Sequence, residues 1–312
     1  MKNLIYLFIM TLGIVSCSND DNLSSSSNWN IINNITNKNL TDIEFYNNDF
    51  GLISGSLGTL LKTENGGESW SVMNVGLNHS FVKAFILNEN EFFTSRVGIY
   101  KTNNNGNTFN ELGDLSNYSG SIFAIHFFDS SNGLIYKDGL ILKTTDGGQT
   151  WDVVYNNAGF ANIMQFVSNN IGYISGGISY DGSSSGEIHK SIDGGNTWNT
   201  INIQTSEITS MYFLSEHKGY FSNFNNQFFK TQNGGSNWEI IGTSPIVFYD
   251  IVFLDDNIGY GVGYNSIYKT ENGGKDWEID YENNEMIFTS ITKTPNNELF
   301  TVTNNGNILR KQ

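Results

Sequence analysis

From residue 28 onward, apolar and polar positions alternate in a cycle that repeats along the chain. An alternating apolar run such as Ile251-Val252-Phe253-Leu254 is followed by a polar turn. A second run opens on a glycine, as in Asn257-Ile258-Gly259-Tyr260, and a third ends in lysine, as in Ile267-Tyr268-Lys269. The glycine pattern recurs at Asp49-Phe50-Gly51-Leu52, Ser131-Asn132-Gly133-Leu134, Asn170-Ile171-Gly172-Tyr173 and Lys218-Gly219-Tyr220, and reads as a turn opening the second strand. Short runs of this kind, bounded by turn residues, predict β-strands. Helical periodicity is nearly absent, so the expected class is all-β.

After the third run comes a segment that aligns six times without gaps: Thr63–Trp70, Thr102–Phe109, Thr144–Trp151, Ser191–Trp198, Thr231–Trp238 and Thr270–Trp277. The shared pattern is Ser/Thr-x-Asp/Asn-x-Gly-x-polar-aromatic. Asn65, Asn104, Asp146, Asp193, Asn233 and Asn272 supply the side-chain oxygen, expected to accept backbone N–H groups two or three residues on. The glycine supplies a positive φ. The aromatic (Trp70, Phe109, Trp151, Trp198, Trp238 or Trp277) opens the next strand and packs inward. These are the residues of a tight hairpin, and none performs chemistry.

The aromatics recur about every 41 residues, the length of a four-stranded propeller blade. One step back from Trp70 lies Trp29, followed by Asn30-Ile31-Ile32 much as Trp238 is followed by Glu239-Ile240-Ile241. The final Ile308-Leu309-Arg310-Lys311 instead matches a strand that precedes a box. The chain therefore starts in phase with a fourth strand and stops after a third. The expected architecture is a seven-bladed β-propeller of four-stranded blades, closed by the strand around Trp29 pairing with the C-terminal strands, which leaves no open edge at the seam.

The repeated box resembles the Asp-box, or bacterial neuraminidase repeat, of β-propellers in sialidases, xyloglucan-hydrolysing glycosidases, sortilin-type receptors and the photosystem II stability/assembly factor family. The resemblance covers nearly everything after residue 28, and size, blade count and box density most resemble the last family. It implies that the boxes lie on one face of the disc and that ligands meet the other. It also implies a non-catalytic scaffold, since photosynthetic members act as assembly chaperones that bind a membrane-protein partner through a basic patch. That patch is missing here, where Arg96 is nearly alone.

Composition narrows the function. The net charge of −15 disfavours nucleic acid as a partner. Only Arg96 and Arg310 are arginines, so the three-arginine carboxylate clamp of a sialidase cannot be assembled. Cys17 is the single cysteine, which excludes intramolecular disulfides and cysteine-based zinc sites. His79, His126, His189 and His217 fall in separate blades without ligand spacing, and Asp255-Asp256-Asn257 reads as a strand-opening turn rather than a calcium loop. No metal and no cofactor is expected.

The N-terminus has a basic start, an apolar stretch from Leu4 to Val15, and then Ser16-Cys17. This has signal-peptide form, and Ile14-Val15-Ser16-Cys17 resembles a bacterial lipobox with Cys17 as the lipidated residue. The acidic run after the cysteine resembles the surface-export signal of Bacteroidetes lipoproteins. The expected organisation is a signal peptide over 1–16, a flexible tether over 17–27 and the propeller over 28–312. The protein is expected to be a monomeric outer-membrane lipoprotein, surface-exposed and held to the membrane only by lipid.

Ligands are then sought on the loops joining strands two and three and those leading into the next blade. Arg96, Asp138, Tyr180, Asp181, Phe224, Tyr249 and Tyr264 are the candidate binding residues, a mixture of aromatic and polar groups suited to a protein or polysaccharide. The alternative is an extracellular glycoside hydrolase using paired carboxylates, drawn from Asp138, Asp181, Glu187, Asp250 and Glu285.

Overall fold

The computed structural model describes residues 28–311 apart from 33–34, 157, 160 and 177–184. Cys17, the signal peptide and the tether lie outside the described residues, as do Tyr180 and Asp181. Twenty-eight strands and no helix are present among the described residues, arranged as seven four-stranded antiparallel sheets. Strand β1 (Trp29–Ile32) pairs with β28 (Ile308–Lys311), setting Trp29 opposite Lys311, and β27 (Leu299–Thr303) and β26 (Phe288–Lys293) complete that sheet. The ring closes as the phase of the repeat requires. The seam is tied by Asp280 of the neighbouring blade, whose Oδ2 accepts both Trp29 Nε1 at 2.6 Å and Lys311 Nζ at 2.5 Å.

One strand per blade lies innermost: β2 (Leu40–Phe45), β6 (Lys83–Ile86), β10 (Ile122–Phe127), β14 (Ala161–Phe166), β18 (Ile208–Phe213), β22 (Asp250–Phe253) and β26. The core sits between blades. Phe127 stacks on Phe93 of the preceding blade with centroids 4.0 Å apart, Phe213 on Tyr173 at 3.7 Å and Phe253 on Tyr220 at 3.8 Å. The box tryptophan of the same blade meets that phenylalanine edge-on, as Trp151 does Phe127 and Trp238 does Phe213. In these three pairs of blades one repeat contributes a layer of an aromatic stack that the next repeat completes.

The same phenylalanines explain the recurrent glycine of strand two. At Gly51, Gly133, Gly172, Gly219 and Gly259 a Cβ would lie closer than 3.0 Å to the ring of Phe45, Phe127, Phe166, Phe213 or Phe253. These glycines are the first residues of their strands, not turn residues. Glycine is required because a ring covers the backbone, a reason that the sequence pattern alone conceals.

The boxes close differently from the expected Asx turn. In the box of Thr144, Asp146 Oδ1 accepts the amide of Thr150, four residues on, at 2.9 Å, and Oδ2 accepts the Thr150 hydroxyl at 2.6 Å. Two left-handed glycines intervene and swing the chain back over the carboxylate. The bonds from Thr150 hold the Asp146 carboxyl down at about 2. The turn's inner bond belongs to the hydroxyl: Thr144 Oγ1 accepts the buried Gly148 amide at 2.8 Å and donates to Asp146 Oδ1 at 2.8 Å. The equivalent hydroxyl–amide bond spans 2.8–3.0 Å in the other five boxes. Thr144→Val keeps the shape but strands the Gly148 amide, a loss of about 1–3 kcal/mol. The expected drop in Tm is roughly 3–10 °C by scanning calorimetry, with Thr150→Val much milder.

Candidate functional site

Antiparallel order sends the boxes to one face of the disc and the strand-two-to-three turns, with the inter-blade connections, to the other. On that second face Phe224 is 62% exposed, Tyr264 57% and Tyr249 38%. Tyr249 and Tyr264 lie together with ring centroids 5.6 Å apart, and Phe224 tops the turn of the adjacent blade. Burial and the neighbouring Tyr264 hydroxyl push the Tyr249 phenol up to about 12. The arrangement is an aromatic platform on one half of the face.

Arg96 and Asp138 lie on the other half, in the second and third blades counted from β2. Arg96 is half-buried, and Asp138 is exposed in a left-handed turn where its Oδ2 accepts the Ser119 hydroxyl at 2.6 Å. The neighbouring Lys137 is buried at the end of its strand, its ammonium donating to the carbonyls of Val97 and Gly120, both at 2.7 Å. Burial pulls that ammonium down from its ordinary value. Leu57 and Val97 are further exposed apolar residues at equivalent turns, 59% and 60% exposed. Val97 lies in the Ser95-Arg96-Val97 turn that the repeat already places on this face, whereas Leu57, which precedes Gly58 in the equivalent turn, is not marked out by the sequence. Exposed acids, among them Asp114, Asp138, Glu282 and Glu285, ring the same face.

The disc axis holds a second feature. Inner strands present an unpaired backbone edge to the channel, and side chains of the preceding blade cap it. Asp42 Oδ2 accepts the Ala84 amide at 3.2 Å, Glu44 the Ile86 amide, and Asp250 Oδ2 the Ile291 amide at 3.0 Å. Gln165 does the same without charge, accepting the Phe213 amide at 2.7 Å and donating to its carbonyl at 3.0 Å. Lys83 donates to Asp42 Oδ1 at 2.7 Å. A cavity of about 590 Å³ opens between these groups, and Phe85, His126 and Phe166 also line it.

The electrostatics follow from that placement. Burial, reinforced by Asp42 and opposed by Lys83, pushes the Glu44 carboxyl up to about 8. Burial also raises Asp250, against the pull of Lys83. Burial works to lower the Lys83 ammonium, but the charges of Asp42 and Asp250 outweigh it and hold it above its ordinary value. Burial alone pulls His126 down to about 4. A carboxyl raised in the folded state contributes stability below about pH 4.5, and that contribution fades as pH climbs through about 8. Glu44→Gln keeps the amide cap, as Gln165 shows. It should leave stability at pH 5 nearly unchanged and raise it by about 2 kcal/mol at pH 9, read by urea unfolding at both values.

Of the carboxylates considered for glycoside hydrolysis, Asp250 lines this cavity; its companions there are Asp42 and Glu44, which the sequence did not single out. Asp255 closes its turn by accepting the amides of Asn257 and Ile258, both at 2.8 Å. Among the described residues no group of three His, Cys, Asp or Glu side chains could hold a metal ion.

Fold and face together define a seven-bladed β-propeller with an aromatic platform opposite its repeated turn boxes and a charged, partly aromatic channel. The profile of the family described as photosynthesis system II assembly factor YCF48 matches residues 21–175. No curated protein matches. YCF48 from Cyanidioschyzon merolae is similar in structure, with a TM-score of 0.76 at 17% identity, covering 91% of this chain and 98% of that one. A structure of YCF48 bound to D1 peptide gives 0.75 at 20% identity, covering 91% and 96%. The WD40 propeller domain of Doa1 gives 0.71 at 8% identity, covering 90% and 94%.

Proposed function

We propose that the protein is a non-catalytic scaffold that holds an extended segment of a partner protein on the face opposite its boxes. The observation that carries this reading is the Tyr249–Tyr264 pair with Phe224 beside it, large aromatics exposed on a rigid frame. The YCF48 structure bound to D1 peptide supports a peptide as the type of ligand. The chemistry of the partner differs from that implied by a basic patch. Here the face carries acids around aromatics, which suits a segment with lysine or arginine among apolar residues. Peptide-display selection against the purified protein tests this. Enrichment of basic, apolar sequences is expected, whereas enrichment of acidic sequences, or of none, would count against it. A polysaccharide ligand would instead appear on a glycan array.

The anchor belongs to the same proposal. Cys17 carries lipid and the tether lifts the propeller from the outer membrane toward the cell exterior. Cys17→Ser should move the protein from the membrane to the soluble fraction, and unchanged fractionation would refute the anchor.

A second reading rests on Glu44, a carboxyl protonated near neutrality beside Asp42 and Asp250, the division of labour that glycoside hydrolysis uses. The scaffold reading is preferred for two reasons. The three carboxylates are engaged as caps on neighbouring strands, and Phe85, His126 and Phe166 offer a sugar more stacking than hydrogen bonds. Release of nitrophenol from aryl glycosides, lost in Glu44→Gln, would reverse that preference.

A further inference from the structure

The inner strands align by the phenylalanine or its equivalent that ends each of them. In that alignment Asp42, Lys83 and Asp250 share the third position, and Glu44, His126, Gln165 and Tyr212 the fifth. The two positions form successive rings of side chains around the axis. Their charges do not balance. Lys83 bonds Asp42 and feels the charges of Asp250 and Glu44 as well, so one ammonium stands against the carboxyls of Asp42 and Asp250, and ionisation of Glu44 adds a third. Capping a strand edge does not require charge, because Gln165 caps β18 without it. The acids at 42, 44 and 250 therefore put negative charge into the channel beyond what the caps need.

The aromatic part of the lining has another chemistry. His126 stacks on Phe166 with centroids 4.5 Å apart and meets Phe85 edge-on at 5.2 Å, and its low basicity keeps it neutral. The 590 Å³ of the cavity falls within the range of small-molecule sites, which join an apolar surface to a few polar groups. An ionised carboxylate offers about four acceptor positions. Glu44 accepts the Ile86 amide, Asp42 the Ala84 amide and the Lys83 ammonium, and Asp250 the Ser290 hydroxyl with the Ile251 and Ile291 amides, so each has acceptor capacity left and Glu44 the most.

We infer that the central channel binds a small organic cation, with its ammonium group among Glu44, Asp42 and Asp250 and its apolar body against Phe85, His126 and Phe166. This site is separate from the aromatic platform, although Tyr249 stands at the channel rim. Lys83 sets the orientation, since it repels the ammonium from the Asp42 side toward Glu44 and Asp250. The aromatic faces favour a cation or an aryl body over an anion. The charged groups acting on Glu44 are Asp42 on its own strand and Lys83 on β6, with His126 on β10 and Asp250 on β22 lining the same cavity, and burial pushes the Glu44 carboxyl up to about 8. Binding is thus coupled to deprotonation of Glu44 and strengthens as pH rises.

Calorimetric titration of the purified protein with 2-phenylethylamine, which stays protonated through pH 9, tests the inference. Saturable 1:1 binding is expected, about thirtyfold tighter at pH 9 than at pH 6.5. The neutral isostere 2-phenylethanol should bind at least tenfold more weakly. Glu44→Gln should abolish the pH dependence and weaken binding at pH 9 about tenfold. At pH 7 the wild-type protein should release close to one proton per amine bound, read in two buffers of different ionisation enthalpy, a measurement that needs no variant. Phe224→Ala with Tyr264→Ala should leave amine binding unchanged, which separates this site from the peptide face. Equal affinity for the alcohol, an unaltered pH profile in Glu44→Gln, no proton release, or no saturable binding would each overturn it.

Discussion

Deleting residues 28–32 is expected to convert the protein from a closed ring into an associating species. Without β1, the edge of β28 loses its partner and exposes unpaired N–H and C=O groups over Ile308–Lys311. Such an edge pairs with whatever strand it meets. Trp29 is buried against Val252, Tyr260 and Leu309, and its indole shares Asp280 with Lys311. Trp29→Ala alone should therefore cost about 3–5 kcal/mol and lower Tm by roughly 10 °C. The deletion should cost more and produce concentration-dependent oligomers by light scattering. A deletion variant that stayed monomeric with unchanged Tm would mean that the seam contributes little. The comparison variant Ile31→Ala removes an exposed side chain from the same strand and should be nearly silent.

The second large effect falls on binding. Phe224→Ala combined with Tyr264→Ala should weaken a selected peptide about a hundredfold or more, as loss of two central aromatic anchors does. Stability should hardly move, because both side chains are exposed and the backbone bonds of their turns persist. Phe224 donates its amide to Glu207, and the Tyr264 carbonyl accepts the Phe288 amide, independently of either ring. Ile192→Ala, which removes an equally exposed apolar residue from a box, should leave affinity unchanged. Fluorescence anisotropy of a labelled peptide reads both variants. If the box variant weakened binding and the face variant did not, the assignment of faces would be inverted.

How far the sequence disclosed this protein depends on which contacts make each feature. Blade number and closure were legible because both are matters of phase: Trp29 falls one period before Trp70, and Lys311 one period after Lys269. The platform residues Phe224, Tyr249 and Tyr264 were legible because the loop class of each follows from its distance to the nearest box. The strand-two glycines were legible as a pattern but not as a cause, since the ring over Gly133 or Gly259 comes from the neighbouring strand. Asp42 and Glu44 were not legible as a site. In Leu40-Thr41-Asp42-Ile43-Glu44-Phe45 they read as the polar half of an ordinary alternation. Only closure of the ring turns that polar half toward a channel and brings Lys83 and Asp250, far away in sequence, to meet it. The same holds for Leu57, where a single apolar residue in a turn carries no signal until its equivalents surround one face.

The central claim is that the face opposite the boxes holds the partner. Amide hydrogen exchange of the protein with and without a selected peptide tests it most directly. Slowed exchange is predicted at the turns around 224–226 and 264–265 and the connection at 246–249, with the six box turns unaffected. Slowed exchange confined to the box turns, or to the outer strands at the rim of the disc, would contradict the account.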